Sequence, residues 1–161
     1  MDSYSRRIIQ VAAFAALSIV FVLASTDKAL TQDATFVGSE TCGECHDVEF
    51  ENYTSFSKKA HSGDSVKIMA GDLTSSELEE CYSCHMTGYG QPGGFISFDE
   101  TPDMANAGCE TCHGPGSAHV DAGGDPDYIK ANLDVDDCTH CHNSERVAAF
   151  DFKPMLFGGA H

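Results

Sequence analysis

The segment Cys42-Gly-Glu-Cys45-His46 opens a series of four Cys-x-x-Cys-His segments in a chain of 161 residues. The other three are Cys81-Tyr-Ser-Cys84-His85, Cys109-Glu-Thr-Cys112-His113 and Cys138-Thr-His-Cys141-His142. Together they use all eight cysteines. Residues i, i+3 and i+4 of a helical turn lie on one face. Both sulfurs and the imidazole of each segment can therefore meet one flat group.

This pattern is the attachment site of a c-type haem. The two thiols form thioethers with the haem vinyl groups, and the histidine is the proximal axial ligand of the iron. Zinc ribbons and disulfide frameworks also use paired cysteines, but neither requires a histidine after each pair. We expect four covalently bound haem c groups. Their cofactor-binding residues are Cys42, Cys45, Cys81, Cys84, Cys109, Cys112, Cys138 and Cys141, and their proximal ligands are His46, His85, His113 and His142.

Four histidines remain, which equals the number of iron positions still to be filled: His61, His119, His140 and His161. Bis-histidine haems favour electron transfer, because no iron position is open to a substrate. His61 and His119 each follow a proximal histidine at a spacing that makes the far face of the same haem hard to reach, so we expect them to serve neighbouring haems. His140 lies inside the fourth motif and either ligates an adjacent haem or is a polar motif residue. His161 is a candidate ligand carried by an apolar tail, and the methionines are predicted to be packing residues.

The N-terminus has the features of an export signal. Arg6 and Arg7 precede the apolar run 8–24, and small residues follow it. We predict a signal peptide over 1–32, cleaved near 24–32, and a single domain over 33–161. An uncleaved membrane anchor is the alternative, because the apolar run is at the short limit for a membrane span. Export and covalent haem both predict a periplasmic or extracellular location.

The predicted domain is small for four haems, so an ordinary core would be marginal. We predict a mainly α fold with short helices and loops wrapped around four closely packed haems, and little or no sheet. A helix is expected from Val48 to Ala60, ended by Ser62-Gly63. A capping-box sequence, Thr74-Ser-Ser-Glu77, predicts a helix leading into Cys81. The stretch 95–98 is at most a short strand, and the glycines of 88–94 are expected to let the backbone approach a haem.

The formal net charge is −16. This charge argues against nucleic-acid binding. The negative charge either keeps the protein soluble or allows the protein to dock with a basic patch on a redox partner. Asp134, Asp136 and Asp137 precede the fourth motif and are the candidate local acidic patch. The expected partners are other cytochromes or quinol-linked membrane complexes.

Several segments resemble the cytochrome c-554 family of tetrahaem proteins. The resemblance runs from Phe36 to His161. It is carried by the segments Phe36-Val-Gly-Ser39, Ser57-Lys-Lys-Ala-His61, Cys81-Tyr-Ser-Cys-His-Met-Thr-Gly-Tyr89 with Pro92-Gly-Gly-Phe95, Cys109-Glu-Thr-Cys-His-Gly-Pro-Gly-Ser-Ala-His119 and the tail 150–161.

The resemblance implies a helical fold with haems in closely stacked pairs and a periplasmic electron-carrier role. It implies distal-ligand roles for His61, His119 and His161, and an open second haem at His85. This chain is shorter than the type protein, and it carries His140 inside the fourth motif. Some relatives of the family assemble into extracellular cytochrome filaments, so the resemblance also allows self-assembly.

The first functional hypothesis is therefore a carrier that moves electrons between redox partners through stacked haems. The second is an enzyme that acts on nitric oxide or hydroxylamine at an open haem held by His85. The sequence supports it less, since no acid–base pair accompanies that haem. The third is a subunit of an extracellular cytochrome filament, or a self-assembling dimer.

Overall fold

The described part of the chain is helical. A computed structural model describes residues 33–143. Its α-helices are α1 (Ser39–Gly43), α2 (Asp47–Phe56), α3 (Ser62–Met69), α4 (Ser75–His85), α5 (Cys109–His113), α6 (Ser117–Asp121) and α7 (Val135–Thr139). Short 3-10 helices cover Lys58–His61, Ala70–Asp72, Pro102–Met104 and Pro126–Tyr128.

The prediction of a mainly α fold is confirmed. Residues 33–143 contain no strand, and the stretch 95–98 is irregular. The predicted wrapping around four haems stays a prediction. The predicted export signal and the tail that carries His161 lie outside the described residues.

Helix α4 begins as its sequence predicts. The Thr74 N–H donates to Glu77 Oε2 at 2.8 Å, and the Glu77 N–H donates to Thr74 Oγ1 at 3.5 Å. This reciprocal pair satisfies two donors that the first helical turn leaves without partners. The helix then runs without a break to His85, so it carries the whole second motif.

The predicted helix from Val48 to Ala60 is wrong at its end. Helix α2 stops at Phe56, and Ser57 takes an extended conformation, with φ −88° and ψ 123°. Its hydroxyl accepts the Lys59 N–H at 3.3 Å, which opens a 3-10 turn. A serine that bonds the backbone two residues on favours a cap over a helix interior.

Ser62-Gly63, predicted to end that helix, instead begins α3. The Gly63 N–H donates to Asn106 Oδ1 at 2.9 Å. A Cβ at Gly63 would collide with the carbonyl oxygen of Ala105. Glycine is therefore required here by the close approach of the 105–106 segment, and not by a helix end.

A small apolar core surrounds α4. Tyr82 projects from this helix and contacts Phe95 and Phe98 edge to face, with ring centres 5.0 and 6.3 Å away. Lys67 lies over the Phe98 ring, 4.8 Å from its centre. The buried members of the core are Phe36, Val66, Met86, Phe95, Met104 and Ala105. This cluster packs the second motif against the rest of the described chain.

The glycine-rich loop 88–94 packs against protein. Gly88 has φ +65°, and a Cβ there would lie 2.7 Å from the Phe36 ring. A Cβ at Gly94 would collide with the backbone of Gly88. These contacts give the loop a structural reason for its glycines, while the predicted approach to a haem stays a prediction.

Candidate haem sites

Each Cys-x-x-Cys-His segment forms one helical turn. The second segment ends α4 and the third is α5. The first and fourth begin inside helices and continue as turns. In both, the histidine N–H bonds the carbonyl of the first cysteine at 2.9 Å, from His46 to Cys42 and from His142 to Cys138. All four segments therefore have the geometry that places two sulfurs and an imidazole on one side.

The fold brings the first and third segments into contact. The thiols of Cys42 and Cys109 share a hydrogen bond, which raises the pKa of Cys42 and lowers the pKa of Cys109 to about 6. The Cys109 N–H also donates to Ser39 Oγ at 3.1 Å, which ties α5 to the start of α1.

The second and fourth segments are also in contact. The ligand atoms of Cys84, His140 and Cys141 all lie within 4.8 Å of one another. The Cys141 Sγ lies 3.8 Å from the carbonyl oxygen of Cys84. Burial, with the neighbouring Cys84 thiol as a further cause, raises the pKa of Cys141 to about 12. The first segment thus contacts the third, and the second contacts the fourth.

His119 faces the proximal histidine of the first segment. The ring centres of His46 and His119 are 6.2 Å apart, and their planes differ by 18°. Metal–imidazole bonds are about 2 Å long, so two imidazoles on opposite sides of one iron have ring centres about 6 Å apart. The pair is therefore spaced to accept an iron between the two rings.

Several imidazoles are oriented by backbone carbonyls. His113 Nδ1 lies 2.8 Å from the Lys130 oxygen, and His119 Nδ1 lies 2.8 Å from the Asp125 oxygen. His61 Nε2 lies 2.8 Å from the Thr54 oxygen. Contacts of this kind fix the ring orientation of a metal-binding histidine.

His140 lies beside the second segment, near both its backbone and the Cys84 thiol. Its Nε2 is 3.3 Å from the carbonyl oxygen of Ser83, inside the turn that ends in His85. A second axial ligand for a haem held by that turn has to lie across the ring from it. The structure therefore places His140 beside the second segment and not opposite it.

The donor set fits covalent haem. Two thiols precede an imidazole in each turn, and His85 carries a buried Nδ1 with no hydrogen-bond partner in the part of the chain that the structure describes. A buried ring nitrogen without a partner is costly unless another group meets the ring.

Sequence reasoning missed two residues that organise these sites. Glu110, the second residue of the third segment, is buried. Its carboxylate accepts hydrogen bonds from the backbone N–H groups of Gly38 and Gly116. The sequence offered no distinguishing signal, because the first motif also contains an acidic residue, Glu44, and that residue is exposed. The second residue is Lys130, whose carbonyl oxygen contacts the His113 ring. Its ammonium lies 2.5 Å from an Asp137 carboxylate oxygen, and this contact lowers the pKa of Asp137.

The predicted acidic patch before the fourth segment is partly used by the fold. Asp134 and Asp137 form a capping box at the start of α7, and both pair with Lys130. Two of the three carboxylates therefore already have internal partners, and Asp136 is the exposed remainder.

A helical chain with cysteine–cysteine–histidine turns held in contact pairs is a c-type cytochrome. Residues 41–114 match the family described as cytochrome c554 and c-prime. That match confirms the resemblance to the cytochrome c-554 family for residues 41–114. The similarity supports covalently bound haem c.

A relative supports the same assignment. Cytochrome c-554 of Nitrosomonas europaea is 32% identical over 109 residues, which cover 60% of this chain and 45% of that protein. The chain thus spans less than half the length of the curated relative that it matches. No solved structure matches the chain. Within residues 33–143, no helix is long and apolar enough to cross a membrane.

Proposed function

We propose that this protein is an exported tetrahaem cytochrome that passes electrons between redox partners. The observation that carries the proposal is the pairing of the attachment turns, Cys42 with Cys109 and Cys84 with Cys141. Each cysteine would bind the edge of its haem. Cysteines in contact would therefore hold two haem edges close together, as electron exchange requires.

The chain's own residues have distinct roles in this proposal. Eight cysteines hold the haems, and the histidines of the four turns are proximal ligands. His119 is the distal ligand at the first site, on the evidence of its ring facing His46. His61 and His161 are proposed for two other haems. Haem iron supplies a one-electron couple whose potential responds to ligands, burial and hydrogen bonds.

The proposed partners are redox proteins with a basic docking patch, and the proposed location is the periplasm or the cell exterior. Acidic residues outnumber lysine and arginine by 25 to 9 in the chain. Charge complementarity of this kind speeds the encounter of two proteins more than it strengthens their complex.

Haem stoichiometry tests the proposal directly. Intact-mass measurement of the purified protein should show four covalent haems. In the Cys112→Ala variant one haem should either be held by the Cys109 thioether alone, which leaves one vinyl group free and shifts the haemochrome band of that haem to the red, or be lost, so that three remain. Thr139→Ala, inside the fourth segment but not a haem attachment residue, is the control and should keep four. A wild-type protein without covalent haem would contradict the proposal.

A polymer on size-exclusion chromatography would favour the filament hypothesis.

A second candidate function is the binding of a small ligand at the His85 site. The position of His140 favours it, because that imidazole contacts the turn itself and does not lie across from it. The site would then be open to an external molecule such as nitric oxide or cyanide.

The spin state of the ferric protein separates the two candidates. An open site gives a high-spin minority beside a low-spin majority, and cyanide titration should convert that minority. His140→Ala should leave the ratio unaltered. A wholly low-spin wild type that becomes partly high-spin in His140→Ala would show that His140 closes the site, and would favour pure electron transfer.

A further inference from the structure

Glu110 is a buried carboxylate of the third attachment turn, and it bonds the backbone that leads into the first. Only 2% of the residue is exposed, although glutamate is seldom fully buried without a partner. No lysine or arginine pairs with it in the described ion pairs, which both involve Lys130. Its stabilisation therefore has to come from the backbone.

Three backbone N–H groups supply that stabilisation. Gly116 donates to Oε1 at 2.7 Å, Gly38 donates to Oε2 at 2.8 Å, and Val37 donates to both oxygens at 3.0 and 3.1 Å. The carboxylate accepts in every one of these bonds. An acceptor-only pattern is that of an ionised carboxylate, since a protonated acid also needs an acceptor for its O–H.

The charge lies where the first and third sites meet. Glu110 belongs to the third attachment turn, and Gly38 is the residue directly before α1, which contains Cys42. The pKa of the Cys42 thiol is raised chiefly by its hydrogen bond with Cys109 and by burial, and the Glu110 charge adds to the rise. The charge therefore acts on Cys42, an attachment residue of the first site, while Glu110 itself lies between the two attachment cysteines of the third site.

We propose that Glu110 is a positioning residue whose buried negative charge lowers the reduction potentials of the haems at the first and third sites. Reduction of a haem adds one electron, and a fixed negative charge nearby disfavours that addition. Burial strengthens the effect, because solvent and salt screen the charge less. The inference rests on the proposed haem attachment.

Redox titration of three variants, each first checked for four haems by mass, tests the inference. Glu110→Gln removes the charge and keeps the side-chain size. Glu110→Asp keeps the charge on a shorter side chain. Glu44→Gln removes the same charge from an exposed position inside the first attachment turn, and so is the matched control.

The expected result is a positive shift of one or two of the four midpoint potentials in Glu110→Gln. The shift in Glu44→Gln should be smaller, and Glu110→Asp should stay near the wild type. A general loosening of the fold would instead move all four potentials, so it is distinguishable.

Two results would overturn the inference. One is a Glu110→Gln protein with four haems and unshifted potentials. The other is a Glu110→Asp protein whose potentials rise as much as those of Glu110→Gln, because that would assign the effect to packing. If Glu110→Gln loses a haem, the Glu110→Asp variant provides the test. A Glu110→Asp protein with four haems at wild-type potentials would support the role of the charge, and raised potentials in that variant would refute it. A wild type without four haems would refute the proposed function instead.

Discussion

His46 and His119 face each other with ring centres 6.2 Å apart and nearly parallel planes. His46 follows the first cysteine pair, whereas His119 lies in α6, which follows the third attachment turn. The proposed first iron site would thus be assembled from two parts of the chain that are distant in sequence. This crosswise arrangement explains why the first and third turns also share the contact between Cys42 and Cys109.

Replacing His119 by alanine should open the first site. We expect about one haem in four to change from low to high spin in the ferric protein, because the distal imidazole is lost while both thioethers stay. Low-temperature electron paramagnetic resonance measures this fraction. Val120→Ala, in the same helix and partly exposed, should leave the spectrum unchanged. An unaltered low-spin spectrum in His119→Ala would remove His119 from the ligand set.

Tyr53 should make the fold sensitive to alkaline pH. Its hydroxyl donates to the Ala107 carbonyl inside the protein, and burial raises its pKa. A raised pKa in the folded state means that the stabilisation is complete below the unfolded value of about 10 and is lost as pH rises through the folded value. Urea unfolding should therefore show falling stability above about pH 10.

The variant Tyr53→Phe should separate this effect from general alkaline denaturation. At neutral pH it should cost about 1–3 kcal/mol, since a buried carbonyl loses its donor. Its stability should then fall less steeply than that of the wild type above about pH 10. Tyr128→Phe, at a less buried tyrosine, is the control. Parallel pH profiles for wild type and Tyr53→Phe would contradict the assignment.

The capping box of α4 should contribute measurably to stability. Thr74→Ala removes the side-chain acceptor for the Glu77 N–H, and loss of such a cap costs about 1 kcal/mol. Urea unfolding followed by far-ultraviolet circular dichroism measures this cost. Ser75→Ala, one residue later at an exposed helical position, should be nearly neutral. Equal effects of the two substitutions would show that the cap is not the cause.

Salt should slow electron exchange with a basic partner. The chain carries a net charge of −16, and attraction between exposed charges is screened beyond about 10 Å at 0.1 M salt. Stopped-flow oxidation by a basic monohaem cytochrome should slow by roughly tenfold or more as salt rises. Ferricyanide, a small anion, is the matched acceptor and should react faster at high salt. The same trend for both acceptors would exclude charge steering.

The features that could be predicted from the sequence are local ones. The four attachment turns and the cap at Thr74 depend on residues within one helical turn, and their spacing determines them. The end of α2 could not be predicted from periodicity, because Ser57 prefers to cap the following 3-10 turn. Glycine often follows a helix end, so the sequence predicts a helix end at Gly63. The actual reason for this glycine is its close contact with Ala105, which exists only in the folded chain.

The pairing of the sites could not be predicted from the residues alone. Sequence spacing excludes some ligands for a given haem, but it does not say which two turns meet. That choice depends on contacts such as Ser62 Oγ, which donates to the His85 carbonyl at 2.7 Å and accepts the Ala107 N–H at 2.9 Å. The role of Glu110 could not be predicted for the same reason, since the N–H groups that donate to its carboxylate belong to residues 37, 38 and 116.

The segment from Thr35 to Gly38 has a further consequence for maturation. Thr35 exchanges two hydrogen bonds with Ser117, at 2.8 and 3.1 Å, and the next residues bind the Glu110 carboxylate. If the predicted signal is removed after export, the cut has to fall upstream of Thr35 for these hydrogen bonds to be kept. The segment 35–38 would then set the downstream limit for cleavage, because the hydrogen bonds from Thr35 to Ser117 and from Gly38 to Glu110 depend on it.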